Sequence, residues 1–151
     1  MISAKDEPVP NNTIELRLPS KAEWVGVARL AVAGIASRLE FSIEDIEDLK
    51  LSVAEAYTNC IQHAEESGEV RIICTIEPEK LIVTVRDRGK GFEGVTVAPR
   101  RLGEPQEGGL GVFLIRTLMD DVTYEVDPGR GTRLTMTKHV RPASGSRGRG
   151  A

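Results

Sequence analysis

The stretch Leu49-Lys50-Leu51-Ser52-Val53-Ala54-Glu55-Ala56-Tyr57-Thr58-Asn59-Cys60-Ile61-Gln62-His63-Ala64 decides the fold. Leu49, Val53, Ala56 and Cys60 recur at spacings of three and four, so on a helix they stack into one apolar stripe. Glu55, Asn59 and His63, each four residues beyond the last, form a second line beside that stripe rather than opposite it. A carboxylate and an amide one turn apart at the margin of a core can address a bound ligand. On the helix alone, the same pair describes an ordinary solvated face. The ligand reading gains from two glycine clusters further on, Asp87-Arg88-Gly89-Lys90-Gly91 and Gly108-Gly109-Leu110-Gly111, each beside a predicted regular element. Together the three stretches suggest a nucleotide site.

A chain of 151 residues suits one domain that buries a core without disulfides or metal. A net charge of -3 and a pI near 5.5 argue against a surface devoted to nucleic acid or anionic lipid. Cys60 and Cys74 have neither CxxC spacing nor a His pair for zinc, so reduced, partly buried thiols in a cytoplasmic protein are expected. No apolar run approaches a membrane span, and the segment from Met1 to Glu7 lacks a signal-peptide core.

Residues 1–12 read as a loose lead-in with prolines and an Asn pair. Thr13 to Leu18 alternates apolar and polar, the period of a half-buried strand, and Pro19 stops it. Ser20 followed by Glu23 is a capping-box pattern for a first helix over about 21–39, with Trp24, Val27, Ala28, Ala31, Ile35 and Leu39 spaced for burial. Val25, Leu30, Val32 and Ala33 are apolar as well, which fits either a buried helix or a dimer or partner surface punctuated by Arg29 and Arg38. Ser42 with Asp45 starts the second helix, and Glu44, Asp45, Glu47 and Asp48 crowd its positive dipole end.

Two strands over 69–77 and 80–87 form a predicted antiparallel hairpin across Pro78-Glu79, with Leu81, Val83 and Val85 alternating along a central strand. Residues 94–107 lack any period and are too long for a routine connection, as in a lid. A short helix over 109–119 turns Leu110, Phe113, Leu114 and Leu118 inward. A final hairpin joins 122–126 to 133–138, and the Gly- and Arg-rich end is read as a flexible, solubilising tail.

Asp87-x-Gly89-x-Gly91 is by itself the composition of a turn. Functionally, a carboxylate at a strand end accepts a hydrogen bond from an exocyclic amine, and glycines let a flat base lie against the backbone. Gly108 to Gly111 opens a helix whose unpaired N–H groups favour phosphate. The cluster is neither a P-loop, for want of Gly-Lys-Ser/Thr, nor a Rossmann fingerprint, for want of a strand running into it.

Glu55-x-x-x-Asn59, Asp87-x-Gly89-x-Gly91, Gly108-Gly109-Leu110-Gly111 and Gly131-Thr132, in this order, resemble the N, G1 and G2 boxes of the gyrase, Hsp90, histidine kinase and MutL (GHKL) ATP-binding superfamily. Within it, Trp24 to Leu30, Ile43 to Lys50 and Glu55-Ala56-Tyr57-Thr58-Asn59 look like the RsbW group, serine-protein kinases that double as anti-sigma factors. The likeness covers about residues 13–140.

The resemblance implies a Bergerat-type fold: an α/β (α+β) sandwich with a mixed, mainly antiparallel sheet and helices on one face. It implies a domain over 13–140 with an ATP lid at about 92–107, followed by a tail over 141–151. It makes Glu55 the catalytic base toward a serine hydroxyl and Asn59 the Mg2+ ligand beside the ATP phosphates. Asp87 would bind the adenine amine, Gly89, Gly91 and Thr132 would lie at the base, and Gly108, Gly109 and Gly111 would face the phosphates. Arg101, or alternatively Arg100, would reach the terminal phosphate, and Arg29 would meet a partner. His63 is read as structural.

The implied activity is transfer of phosphate from ATP to an anti-anti-sigma protein, combined with sequestration of a sigma factor by a cytoplasmic homodimer that touches neither nucleic acid nor membrane. Two rival readings are a nucleotide-gated sigma-binding module without phosphotransfer and a switch kinase acting on a stress-complex scaffold.

Overall fold

A computed structural model describes residues 11–63, 68–87, 109–127 and 131–141. Among these residues lie strands β1 (Thr13–Pro19), β2 (Glu69–Glu77), β3 (Lys80–Asp87), β4 (Asp121–Asp127) and β5 (Gly131–His139). They form one sheet in the order β1-β2-β3-β5-β4. Every pairing described is antiparallel, and the order places β3 at the centre, as the alternation of Leu81, Val83 and Val85 predicts. Helices α2 (Ile43–His63) and α3 (Gly109–Leu118) bury apolar side chains against one face of the sheet, and α1 (Val25–Ala36) packs on α2 in the same core. None of the described helices is long and apolar enough to cross a membrane.

Helix α2 starts as its sequence requires: the Asp45 N–H donates to the Ser42 hydroxyl at 3.0 Å. Its stripe of Leu49, Val53, Ala56 and Cys60 is at most 2% exposed. Removing such side chains from water is worth roughly 1.5–3 kcal/mol for each large one. Tyr57, also fully buried, points its hydroxyl at the carbonyls of Pro19 (2.6 Å) and Lys21 (2.8 Å) and so ties α2 to the end of β1. The acidic first turns do more than complement the dipole. Buried Lys138 on β5 donates to the Leu118 carbonyl at 2.6 Å and lies 3.5 Å from Asp48 and 3.7 Å from Asp45. One cation thus closes the C-terminus of α3 and clamps it to α2.

Several sequence expectations are corrected. The Ser20–Glu23 capping box does not form: the Ser20 N–H continues the strand pairing by donating to the Gly68 carbonyl at 3.0 Å, and Lys21 rather than Ser20 takes the N-cap position. A single 3-10 turn, Ala22–Trp24, comes first, and the helix proper ends at Ala36 rather than near Leu39. The rotation of α1 also differs. Ala28 and Ile35 are buried as expected, together with Val32 and Ala36, whereas Trp24 and Val27, expected inward, are 37% and 42% exposed, and Leu30 is 71% exposed. Ala28 and Ala36, small residues on either side of Val32, let α1 lie close against α2, which outweighs the bulkier line. In α3, Ile115 and Met119 carry the burial and Phe113 is 67% exposed.

The cysteines, Cys60 at 2% and Cys74 at 0% exposure, are wholly rather than partly buried, and both are free. The lead-in up to residue 10, the lid over 92–107 and the tail from residue 142 lie outside the described residues. Arg141, expected in the tail, donates to Asp120 at 2.7 Å.

On the face of the sheet away from the helices, the register aligns Arg17, Arg71, Arg86 and Arg133 in one cross-strand row. Neighbouring strands lie about 4.8 Å apart, so like charges in such a row repel. Glutamates interleave with them: Glu15 meets Arg71 at 2.9 Å and Arg17 at 3.7 Å, Glu69 meets Arg71 at 3.6 Å, and Glu125 meets Arg133 at 3.3 Å.

Asp120, between α3 and β4, accepts the His139 N–H at 2.7 Å as well as the Arg141 guanidinium. Burial would raise this carboxyl, but the two hydrogen bonds and the charges of Arg141 and Lys138 outweigh it and hold it below its ordinary value of 3.8. A carboxylate depressed in the folded state adds stability that is complete above that value and disappears as pH falls through the folded pKa. Asp120→Asn is therefore expected to destabilise the protein at pH 7, with the gap from wild type closing below about pH 4, in urea titrations run across that range. A gap that stays constant down to pH 2 would contradict the assignment.

Candidate functional site

The buried stripe of α2 fixes the helix rotation, and that rotation sets Glu55 and Asn59 along the margin of the core. Glu55 is half-buried and Asn59 is 5% exposed. Both stand where α2 meets α3 and the strand ends.

At one end, the start of α3 lies against Glu55. A Cβ placed on Gly111 would sit 3.0 Å from Glu55 Oε1, closer than carbon and oxygen normally approach. The glycine therefore leaves room for this carboxylate beside the first turn of α3. The first-turn N–H groups of a helix lack partners within it, so a polar ligand here would meet both donors and an acceptor.

One turn along, the Asn59 Nδ2 donates to the Tyr124 hydroxyl at 3.5 Å. Tyr124 is half-buried on β4 and packs against the core. Cys60, the next residue of α2, brings its thiol within 3.9 Å of the Thr132 hydroxyl. Burial, followed by the charge of Asp87, pushes the Cys60 thiol up to about 12, although the Thr132 hydrogen bond opposes the shift. The thiol is thus a neutral packing group at physiological pH.

Asp87 is fully buried at the end of β3. Antiparallel register sets Thr132 opposite it, one residue beyond the Arg86–Arg133 pair, and Thr132 is 3% exposed. Gly131 comes just before, at φ +106°, a conformation that side chains rarely adopt. A Cβ there would overlap the Asp87 carbonyl oxygen and lie 3.5 Å from its carboxyl carbon. The backbone of β5 can reach the Asp87 end of β3 only because residue 131 has no side chain.

Glu55, Asn59, Asp87, Gly111 and Thr132 thus form one continuous margin, running from the start of α3 along α2 to the paired ends of β3 and β5. Gly109 is the first residue of α3. Gly89, Gly91, Gly108, Arg100 and Arg101 lie outside the described residues, as does the side chain of His63. Arg29 stands exposed on α1. Sequence reading passed over Tyr124 and Lys138. Tyr124 alternates with Val122, an inward signal, but its partner on α2 follows only from the strand order.

Among the described residues no three His, Cys, Asp or Glu side chains gather around a metal position. The available donor is the Asn59 amide oxygen, a hard ligand that suits Mg2+ when the remaining positions are filled by phosphate and water oxygens. At the other end, buried Asp87 matches the amine edge of a base, and glycine at 131 keeps the strands close. The residues present fit a magnesium nucleotide.

Residues 18–138 match the family model of the histidine kinase-like ATPase domain. The serine-protein kinase RsbW of Listeria innocua serovar 6a is 45% identical over 141 residues, 86% of this chain and 88% of that protein. The protein of the same name from Bacillus mycoides is 39% identical over 138 residues, 85% of each chain. Among solved structures, the RsbU and RsbW domains of a Mycobacterium tuberculosis protein share the fold, with a TM-score of 0.64 at 18% identity over 89% of this chain and 34% of that longer one. The histidine kinase domain of a blue-light activated kinase from Erythrobacter litoralis does so with a TM-score of 0.51 at 24% identity, over 87% of this chain and 69% of that chain.

Replacing Gly131 by Ala is expected to cost at least about 3 kcal/mol, because the collision is with backbone rather than with a movable side chain. The loss is read from the urea midpoint. A Gly131→Ala protein of wild-type stability would show that the close approach to Asp87 does not exist.

Proposed function

This chain belongs to the RsbW-type serine-protein kinases of the histidine kinase-like ATPase family, and from that premise we propose that it transfers phosphate from ATP to a serine of an anti-anti-sigma protein and also sequesters a sigma factor. Family membership implies use of ATP and Mg2+. The observation that carries the reading is the convergence of Glu55, Asn59 and Gly111 at one end of the α2 margin with Asp87 and Thr132 at the other.

The roles follow from position. Asp87, at the closed end, would accept a hydrogen bond from the adenine amine, with Thr132 beside it. Asn59 would hold Mg2+, which when bound offsets charge on the phosphate oxygens. Glu55, on α2 beside the start of α3, would accept the serine proton as that oxygen bonds to the terminal phosphorus and ADP departs. The backbone N–H groups opening α3, from Gly109 to Gly111, would face the phosphates. Arg101, or alternatively Arg100, would complete the anion site from the lid, and Gly89, Gly91 and Gly108 would line the base and phosphates. On α1, exposed Val27 and Leu30 beside Arg29 support a protein-binding face that serves a sigma factor or a second copy.

Incubation with labelled ATP and the cognate anti-anti-sigma protein is expected to yield phosphoserine. Glu55→Gln should lower the rate at least about 100-fold while leaving ADP affinity nearly unchanged. Full activity in that variant would overturn the role of Glu55. Transfer by no form of the protein, with nucleotide still bound, would favour a sigma-binding module without phosphotransfer.

Gly111→Ala separates stability from activity. Alanine is favoured over glycine in a helix by up to about 1 kcal/mol, and the atom it crowds is the mobile end of Glu55. The variant is expected to keep or raise the wild-type Tm yet transfer phosphate at least about 10-fold more slowly, because the displaced carboxylate no longer meets the serine proton. Wild-type transfer would show that the Glu55 position is not critical.

A further inference from the structure

We propose that Tyr124 is a positioning residue for the metal, orienting the Asn59 amide so that its oxygen is free to ligate Mg2+. The inference rests on the nucleotide site proposed above.

A side-chain amide has two ends of opposite character. Its oxygen is an acceptor and can bind a hard cation, whereas its NH2 group can only donate. On a mobile side chain, rotation about the last bond would exchange the two ends. Asn59 is 95% covered, so an orientation that leaves its NH2 group without an acceptor is costly. The hydroxyl of Tyr124, 3.5 Å from Nδ2, is the acceptor that meets it. With Nδ2 turned to Tyr124, Oδ1 is left on the far side of the amide.

Tyr124 is held for this task. It sits opposite Leu134 on the inner face of β4, its ring packed against the core, so the hydroxyl is the only polar atom that its side chain delivers to α2. Val122, its neighbour on the same face, carries no hydrogen-bonding side chain. A hydrogen bond that orients a metal ligand from behind commonly changes metal affinity or activity about 10–100-fold when removed.

Tyr124→Phe keeps the ring and deletes this one acceptor. Binding of a non-hydrolysable ATP analogue is measured by calorimetry in EDTA and across a Mg2+ titration, for wild type, Tyr124→Phe and Asn59→Ala. Tyr124→Phe is expected to match wild type within about two-fold in EDTA and to need roughly 10-fold more Mg2+ to reach half of its effect. An unchanged Mg2+ requirement, or an equal loss of affinity in EDTA and in Mg2+, would overturn the inference and make Tyr124 a packing residue. Asn59→Ala separates the two levels of the argument. If it loses the Mg2+ response while Tyr124→Phe keeps it, only the role of Tyr124 fails. If it retains the wild-type response, the placement of the metal at Asn59 fails as well.

Discussion

Helix α2 can lie on the sheet in only one rotation. Leu49, Val53, Ala56 and Cys60 form a stripe that must leave water, and the inward rows of β2, β3 and β5 are the apolar surface that receives it. Glu55 and Asn59 are fixed by that packing, since side chains on one helix keep their angular relation to the buried stripe. Tyr57 adds a directional constraint that apolar contact lacks, because its hydroxyl must find the carbonyls beyond β1. One helix is therefore both the main wall of the core and one wall of the site, and a change in the core of α2 would be felt at Glu55.

The opposite wall depends on backbone approach rather than on side-chain fit. Asp87 and Thr132 meet because β3 and β5 are antiparallel neighbours in a defined register, and Gly131 lets the strands close at that end. The same register governs the outer face, where it aligns four arginines whose repulsion is relieved by interleaved glutamates. A slip of one residue would send Asp87 outward and arginines into the core, so both faces of the sheet select the same alignment. Lys138 performs a comparable service for α3, whose C-terminus it holds to α2 while the glycine-rich start remains beside Glu55.

Much of this was legible in the residues. The stripe of α2 with Glu55 and Asn59 beside it, the hairpin across Pro78-Glu79, the central character of β3 and the final hairpin all follow from local periodicity, and each is found in place. Where an element had apolar residues on several faces, period alone could not choose between them. In α1 the line through Trp24 and Val27 is the bulkier, but the line through Ala28, Val32 and Ala36 lets two helices approach closely and is the one buried. In α3 the same ambiguity set Phe113 inward in the reading and outward in the fold. The Ser20 capping box failed for a different reason: a long-range strand partner, Gly68, claimed the backbone that the cap required.

By itself, the sequence determined which side chains share an edge of α2, that a carboxylate ends β3, and that glycines open α3, because each of these is a matter of local spacing. Only the tertiary structure decided that these groups border one margin, that Tyr124 reaches Asn59, and that Lys138 bridges β5 to both α2 and α3. Those facts join segments far apart in the chain, through strand order and helix rotation set by the burial of the whole core, and no local pattern encodes them.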